Sequence, residues 1–266
     1  MRKKKLLNGI MLLLAVIMIV SGIQLWRVLR DYHQGEQTYD ALTRYITLPE
    51  AGQESEIENG DTGTQTLTER DSMAETAEPV EEGPQVDFDA LKAICPDVVG
   101  WILIEGTDIN YPIVQGKDNN QYLRRMIDGT PNHAGSIFMD SRCSATLEDG
   151  HTIIYGHHMK NRTMFSELES YKQQSFYDDH PWGWLITPEK TMRLWFFAGY
   201  VAKTDSAAWT LPLTETERQP WIDRETAQSC FQASITPEKG AQIVTLSTCS
   251  YDFDNARFVL HGVLMP

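Results

Sequence analysis

The sequence predicts a mostly-β domain, a barrel or sandwich of antiparallel strands with a few peripheral helices, behind an N-terminal apolar helix. Eight short runs rich in β-branched and aromatic residues alternate with polar turns, which is typical of such folds. A charge-free apolar run stands close to the N-terminus. The 266 residues, 41% of them hydrophobic, suffice for one substantial domain with appendages.

The N-terminal run has the length of a membrane span. Met1–Lys5 carries four basic residues, and Leu6–Leu25 contains no charge. Twenty helical residues at about 1.5 Å each match a hydrocarbon core of roughly 30 Å. The basic cluster predicts a cytoplasmic N-terminus. A cleaved signal peptide is the alternative, but Trp26, Arg27 and Arg30 follow the run in place of a small-residue cleavage site.

The acidic charge of the chain is concentrated in one segment. The net charge is −14, from 37 acidic and 23 basic residues. Glu50 to Asp89 holds thirteen acidic residues against one basic residue, Arg70. Glu50–Gly83 is poor in aromatic residues, so we expect a disordered tether that lets a domain stand off the membrane. Val28 to about Leu48 has the spacing of a juxtamembrane helix, and nothing in the remainder resembles a nucleic-acid-binding face.

The folded part is expected to begin with a short helix. Val86–Cys95 has Asp87 as a plausible N-cap, and Phe88, Leu91 and Ile94 share one face. Eight predicted strands follow: Gly100–Ile104, Ile109–Val114, Ser136–Met139, Thr152–Tyr155, Trp184–Ile186, Met192–Lys203, Gln242–Thr248 and Arg257–Leu264.

Two further helices are predicted between the strands. They cover Met164–Tyr177 and Glu215–Phe231, and Pro220 either starts or interrupts the second. The residues expected to pack inward are Phe165, Leu168 and Tyr171 in the first helix, and Trp221, Ile222 and Ala227 in the second.

The last hairpin contains the residues with the clearest chemistry. Ala241–Val263 reads as a strand, a polar turn and a second strand, which brings Cys249 close to Arg257. A neighbouring cation favours the nucleophilic thiolate, and arginine can donate hydrogen bonds to an oxyanion. Arginine is no general base, because it stays protonated. The best candidate for proton transfer lies in the histidine-rich segment His151–His158.

The other cysteines are not expected to form a framework. There are four cysteines and no CxxC pair, so a zinc site is not indicated. Cys95, Cys143 and Cys230 are expected to be small buried hydrophobes, although a disulfide among them stays open.

The motifs resemble those of a known family. TLSTC followed by Arg257, with His157 upstream in YGHHM, resembles the sortases, the cysteine transpeptidases of Gram-positive bacteria. VVGWILIEGTDINYPIVQG and GSIFMDSR are similar to class B members. The resemblance spans roughly Asp87 to the C-terminus and implies an eight-stranded barrel. The expected parts are a cytoplasmic tail (1–5), a membrane signal anchor (6–26), an extracellular juxtamembrane segment and tether (27–85) and a catalytic domain (86–266).

The resemblance also implies the catalytic residues. Cys249 would be the nucleophile, His157 the acid and base, and Arg257 the oxyanion donor. The competing residues are His158, the runner-up, with His151 and His261 among the histidines, and Arg142 and Arg162 among the arginines.

Five other residues are candidates for contacting the substrate. Tyr155 precedes Gly156-His157, and a strand tyrosine is otherwise a core residue. Ser247 and Thr248 precede the nucleophile. Asn119 and Leu123, in GKDNNQYL, resemble a class B substrate loop, although asparagine is also a common turn residue.

The expected function is therefore acyl transfer outside the membrane. The resemblance implies cleavage of a C-terminal sorting motif of secreted proteins after threonine, and transfer to a peptidoglycan-precursor amine. The scheme requires no cofactor or metal, and no EF-hand-like carboxylate spacing occurs. A membrane-anchored Cys-His hydrolase and a non-enzymatic surface module remain alternatives. The motif itself, and a pilin lysine as acceptor, stay open.

Overall fold

The computed structural model describes residues 2–49 and 83–265. The tether predicted over Glu50–Gly83 lies, except for Gly83, outside the described residues. Helix α1 spans Arg2–Leu42, and its N-terminal part is long and apolar enough to cross a membrane, with none of that part buried in the protein. A 3-10 turn, Thr43–Tyr45, leads to strand β1, Ile46–Thr47. Strand β2, Gln85–Val86, pairs with it.

Eight further strands form one closed barrel, so the predicted mostly-β fold is confirmed. Each predicted strand is present, with bounds that differ by a few residues. The prediction of purely antiparallel pairing is wrong, because two neighbouring pairs in the barrel are parallel. In chain order the barrel strands are β3 Val98–Leu103, β4 Asn110–Val114, β5 Ile137–Met139, β6 His151–Tyr155, β7 Trp182–Ile186, β8 Thr191–Lys203, β9 Ile243–Cys249 and β10 Ala256–Met265, and around the barrel they follow the order β10-β8-β7-β3-β4-β5-β6-β9.

The strands near the C-terminus have two buried faces. Val244 and Leu246 of β9 point with Phe258 of β10 into the main core. The alternate residue Ile243 packs instead in a second cluster with Trp221. Alternation along a strand places these two sets on opposite faces. The outer face of β9 is therefore covered over part of its length.

The helices differ from the predictions in detail. Helix α2 spans Phe88–Ile94, and the Ala90 N–H donates to the Asp87 carboxylate at 2.9 Å, so the N-cap is confirmed. The prediction that Ile94 packs inward is wrong, since its exposed fraction is 38%. The helix expected over 164–177 is split into a 3-10 helix, Ser166–Lys172, and helix α3, Gln174–Asp179.

The helix before the cysteine strand is shorter than predicted. Helix α4 spans Glu215–Thr226, with Pro220 inside it. Trp221 and Ile222 are buried, but Ala227 lies beyond the helix and is exposed. Glu225 fills the buried position in its place.

All four cysteines are free thiols. Cys95 and Cys143 are buried as expected. The expectation for Cys230 is wrong, because it lies in the loop after α4 with its side chain exposed. Its backbone N–H is nevertheless held by the Gly199 carbonyl at 2.7 Å.

Candidate active site

Three adjacent strands bring the three predicted catalytic residues into one row. Cys249 of β9 lies directly opposite Arg257 of β10. On its other side, β9 runs parallel to β6, with Ser247 opposite Tyr155. His157 and Cys249 each follow their paired residue by two positions. The parallel direction therefore brings His157 to the same edge of the barrel as Cys249.

Glycine is required before His157 by the packing there. A Cβ atom at Gly156 would lie 2.5 Å from Ile137 and 2.6 Å from Phe165, closer than side-chain carbons approach. The Gly156 N–H also donates to the Ser247 carbonyl at 3.0 Å, which extends the ladder by one residue. The Gly-His pair is thus fixed in position by the core beneath it.

The row lies in a cleft of about 390 Å³. All eight site residues predicted from the sequence line this cleft, and their individual roles stay predictions. Phe138, Thr204 and Trp209 also line it, and the sequence analysis missed them. The predicted residues in the lining are Asn119, Leu123, Tyr155, His157, Ser247, Thr248, Cys249 and Arg257.

His157 is half-buried and has a defined tautomer in its neutral form. Its Nε2 lies 2.6 Å from the Leu123 carbonyl oxygen. A carbonyl only accepts, so Nε2 carries the hydrogen and Nδ1 is left to accept a proton. Burial lowers the pKa of His157 below its ordinary value, and the neighbouring cations Arg124, His133 and Arg257 act in the same direction. A neutral imidazole suits a proton acceptor at neutral pH.

Arg257 is placed to donate hydrogen bonds at the cleft. Its Nη1 donates to the Ala256 carbonyl at 2.9 Å, which orients the guanidinium. The group has five N–H donors in all and stays charged. The side chain is half-buried, so the cation stands beside Cys249 with only part of its surface in water.

A buried carboxylate that the sequence analysis missed braces one wall. Asp140 accepts from Arg142 Nε (2.9 Å) and Nη2 (2.8 Å), from Asn119 Nδ2 (2.9 Å) and from the Tyr155 hydroxyl (3.0 Å). Burial opposes its ionisation, but these hydrogen bonds outweigh burial and lower the pKa of Asp140 to about 2. Asn119 and Tyr155 are therefore held by Asp140. Arg142 is occupied there and does not compete with Arg257. The sequence signal for this buried carboxylate is an Asp-x-Arg motif directly after an apolar strand.

His158 contacts the backbone of Cys249 but is not among the residues that line the cleft. Its Nδ1 lies 3.0 Å from the Cys249 carbonyl oxygen and 3.9 Å from Glu169 Oε2. Its ring packs edge-on against Tyr251 at 5.0 Å between centroids. The runner-up histidine thus contacts the backbone of Cys249.

Two charged residues of the 3-10 helix Ser166–Lys172 hold the loop that follows Cys249. Lys172 Nζ lies 3.1 Å from Glu169 Oε1 and 2.6 Å from Asp252 Oδ2. The Ser250 hydroxyl donates to the carboxylates of both Glu169 and Asp252. We call this group of four residues the loop latch. It fixes the turn between Cys249 and Arg257, which is compact as expected.

The remaining competitors lie away from the cleft lining. His151 and His261 are fully buried on either side of Thr245. His151 begins β6, at the opposite end from His157, as predicted. Arg162 is exposed and lies 3.8 Å from Glu167.

Trp209 forms a wall of the cleft that the sequence did not reveal. It ends a 3-10 turn, Ala207–Trp209, and its Nε1 donates to the Ser247 hydroxyl at 3.3 Å. Ser247 is therefore engaged by the tryptophan. An aromatic residue in a loop carries no periodic signal, so this position was not predictable.

Comparison with known proteins identifies the family. A sortase-domain model matches residues 102–179. Sortase B of Staphylococcus aureus is 30% identical over 250 residues, which cover 94% of this chain and 91% of that protein. The chain belongs to the sortase B family. Sortase B of Listeria monocytogenes is 34% identical over 178 residues, covering 66% of this chain and 72% of that protein.

A solved sortase B gives the same fold. The structure of the Staphylococcus aureus sortase B–substrate complex matches this chain with a TM-score of 0.63 and 32% sequence identity. It covers 67% of this chain and 84% of that one. The likeness includes the barrel and supports a cysteine transpeptidase. Among the described residues, no cluster of three His, Cys, Asp or Glu side chains is arranged to hold a metal ion.

Proposed function

We propose that this sortase B cleaves a C-terminal sorting motif of secreted proteins after threonine and transfers the product to an amine of peptidoglycan. The observation that carries the proposal is the row of His157, Cys249 and Arg257 along one cleft. A nucleophile, a proton acceptor and an oxyanion donor are the three groups that acyl transfer needs.

In the first step His157 Nδ1 takes the proton of the Cys249 thiol, and the resulting thiolate attacks the threonine carbonyl. Arg257 donates hydrogen bonds to the oxyanion that forms. The C–N bond then breaks, and protonated His157 gives its proton to the departing amine. The product is a thioester on Cys249, and the leaving fragment carries the new amine.

In the second step an amine attacks the thioester carbonyl. Neutral His157 takes the proton from the attacking nitrogen through Nδ1, the atom that its contact with Leu123 leaves free. The C–S bond breaks, Cys249 returns to the thiolate, and an amide joins the two substrates. The half-buried cleft favours an amine over water only if its walls bind that amine.

The proposal places the enzyme on the outer face of the cell membrane. The basic residues at the start of α1 and the charge-free run that follows them support a single-pass anchor with a cytoplasmic N-terminus. The barrel then faces the secreted proteins and peptidoglycan precursors that are its proposed partners. Tyr39 and Leu42 of α1 belong to the same core as the barrel, so the proposed catalytic unit includes the end of α1 as well as residues 86–266.

The test uses the full chain in lipid nanodiscs, incubated with sorting-motif peptides, with and without diaminopimelate or glycine peptides. Mass spectrometry follows the acyl adduct on Cys249 and the transfer product, beside the Cys249→Ala variant. We expect an adduct that resolves faster onto an amine than onto water. Cleavage with no amine preference would support a hydrolase, and an unreactive thiol with every peptide would support a binding module.

A further inference from the structure

Helix α1 continues from its apolar part onto the barrel without a break. Its last third packs on the barrel, where Tyr39 is 5% exposed and its ring meets Tyr111 edge-on at 5.3 Å. Three side-chain hydrogen bonds join this part of α1 to barrel loops: Asn132 Nδ2 to the Asp31 carbonyl oxygen (2.8 Å), Asn161 Nδ2 to Glu36 Oε1 (2.7 Å) and the Tyr39 hydroxyl to the Gly135 carbonyl oxygen (2.6 Å).

The two ends of the acidic segment lie side by side. Ile46–Thr47 pairs antiparallel with Gln85–Val86. A tether needs one end on the anchor and the other on the domain. Here both flanks are held at the barrel, because α1 is already docked before the acidic segment begins. The length of that segment therefore does not set the distance between the membrane and the cleft, contrary to the tether role expected from the sequence.

The distance is set by α1. Asp31 follows Leu25, the last residue of the charge-free run, by six positions. Six helical residues rise about 9 Å. The headgroup layer adds roughly 5–8 Å outside each face of the hydrocarbon core. The first contact of α1 with the barrel therefore lies at the outer edge of the headgroups.

The cleft is close to this end of the barrel. Leu123 lines the cleft, and Nη1 of the next residue, Arg124, lies 3.4 Å from His133 Nδ1. His133 Nε2 is in turn 4.0 Å from Asp31 Oδ2 on α1. Arg124, Arg125 and His133 are exposed. We call residues 123–133 the cleft rim.

The charge of this region suits an anionic surface. Basic side chains near a membrane are attracted by anionic lipid headgroups. Asp31 contacts His133, and Asp118 and Asp128 line a pocket together with Lys117 and Arg125. The exposed basic side chains of the rim are Arg124, Arg125 and, when protonated, His133, and Arg27 and Arg30 precede Asp31 on α1.

We propose that α1 holds the barrel against the outer surface of the bilayer, with the cleft rim facing anionic phospholipid headgroups. This inference rests on the membrane anchoring in the proposed function. Cys249 then works within reach of the bilayer surface. Sorting motifs and amines presented there meet the cleft more often than the same groups farther out.

The test measures energy transfer from a fluorophore on the cleft rim to labelled lipid headgroups. The full chain carries Asp128→Cys for labelling, with Cys230→Ser and Cys249→Ala to remove the other accessible thiols. One variant has ten Gly/Ser residues inserted between Val28 and Leu29, and its matched variant lacks residues 52–80. Both are placed in nanodiscs of phosphatidylcholine alone or with phosphatidylglycerol.

We expect high transfer efficiency for the parent chain, no change on deletion of 52–80, and a several-fold loss on insertion in phosphatidylcholine. With phosphatidylglycerol the insertion variant should recover part of the signal, because the basic rim still binds. A change in transfer efficiency in the deletion variant, with none in the insertion variant, would mean that the acidic segment sets the distance to the membrane. That result would overturn the proposal. Equal loss in both lipids would overturn the anionic-headgroup part.

Failure of the anchoring itself is seen separately. A chain that is extracted from nanodiscs or membranes at alkaline pH is not anchored, and then the proposed location fails together with this inference. An integrated chain whose rim shows no energy transfer overturns the inference alone. Because Cys249→Ala is used throughout, neither result depends on transpeptidase activity.

Discussion

The outer face of β9 carries two histidine sites four residues apart, one sealed and one open. At the sealed site the Thr245 hydroxyl lies 2.7 Å from His151 Nε2 and 2.8 Å from His261 Nδ1. Trp221 of α4 packs on both rings, at 4.8 and 5.0 Å between centroids. At the open site Cys249 stands in the same row of alternate residues, beside His157.

The sealed site has a single consistent hydrogen-bond arrangement. Burial lowers the pKa of His151 to about 4 and that of His261 well below its ordinary value, so both are neutral. His151 Nδ1 donates to the Thr210 carbonyl at 2.9 Å, so Thr245 donates to His151 Nε2 and accepts from His261. Within the described residues, His261 Nε2 has no hydrogen-bond partner, 3.8 Å from Glu225.

The comparison shows that a histidine beside β9 is not sufficient for chemistry. Both sites have imidazoles within reach of a β9 side chain. Only the open one combines a thiol, a cation and a cleft of about 390 Å³. Helix α4 covers the sealed site and stops short of the other.

His157→Gln should lower the rate of peptide transfer by about 10²–10⁴-fold, because no other imidazole and no carboxylate of the described residues lines the cleft. His158→Gln is the matched control and should stay within about tenfold of the parent, since His158 contacts the Cys249 carbonyl, Glu169 and Tyr251 but does not line the cleft. Steady-state transfer kinetics with folded protein measure both. Equal losses in the two variants would remove the distinction between them.

Arg257→Ala should lower kcat/KM by about 10²–10³-fold through loss of oxyanion hydrogen bonds. Arg257→Lys should retain only part of the parent kcat/KM, because a lysine ammonium does not reproduce the planar, multiple hydrogen-bond donors of a guanidinium. Arg162→Lys, an exposed arginine away from the cleft, serves as the control. Near-full activity of Arg257→Ala would favour a Cys-His hydrolase that does not need the cation.

Thr245→Val should destabilise the fold by about 1–3 kcal/mol, because it leaves two buried imidazole nitrogens without a partner. Transfer by the folded fraction should be unchanged. Thr248→Val is the matched stability control on the same strand, since the buried Thr248 hydroxyl has no partner within the described residues. Denaturant unfolding measures both, and equal destabilisation would contradict the hydrogen-bond assignment at the sealed site.

Lys172→Met should release the loop latch and lower kcat/KM by up to about fivefold, the worth of a partly exposed ion pair of roughly 1 kcal/mol. Lys172→Arg should keep most of the activity. Lys239→Met, an exposed residue in the loop before β9, is the control. An unchanged kcat/KM would mean that the turn after Cys249 does not need the latch.

Arg124→Ala should raise the pKa of His157, because it removes a cation that disfavours the imidazolium. The second step needs neutral His157. The acid limb of the pH profile of transfer should therefore move to higher pH. An NMR titration of the imidazole and the pH profile of transfer check this, with Lys190→Ala as the control. A downward shift in the pKa would contradict the assigned electrostatics.

Local patterns were enough to predict much of the fold. The eight barrel strands follow from apolar runs between polar turns, and the pairing of Cys249 with Arg257 follows from a hairpin in which the two residues are only eight positions apart. The Asp87 N-cap was likewise predictable from the sequence, because an N-cap hydrogen bond joins residues only three positions apart. The charge-free run and its basic flank predicted the apolar helix.

The tertiary structure decided what depends on residues far apart in the chain. The parallel pairing of β6 with β9 aligns His157 with Cys249 across some ninety residues, and no local pattern specifies it. The buried Asp140, the sealed histidines and the docking of α1 have the same origin. Periodicity and turn chemistry act over a few residues, whereas register and burial are set by which surfaces meet when the barrel closes.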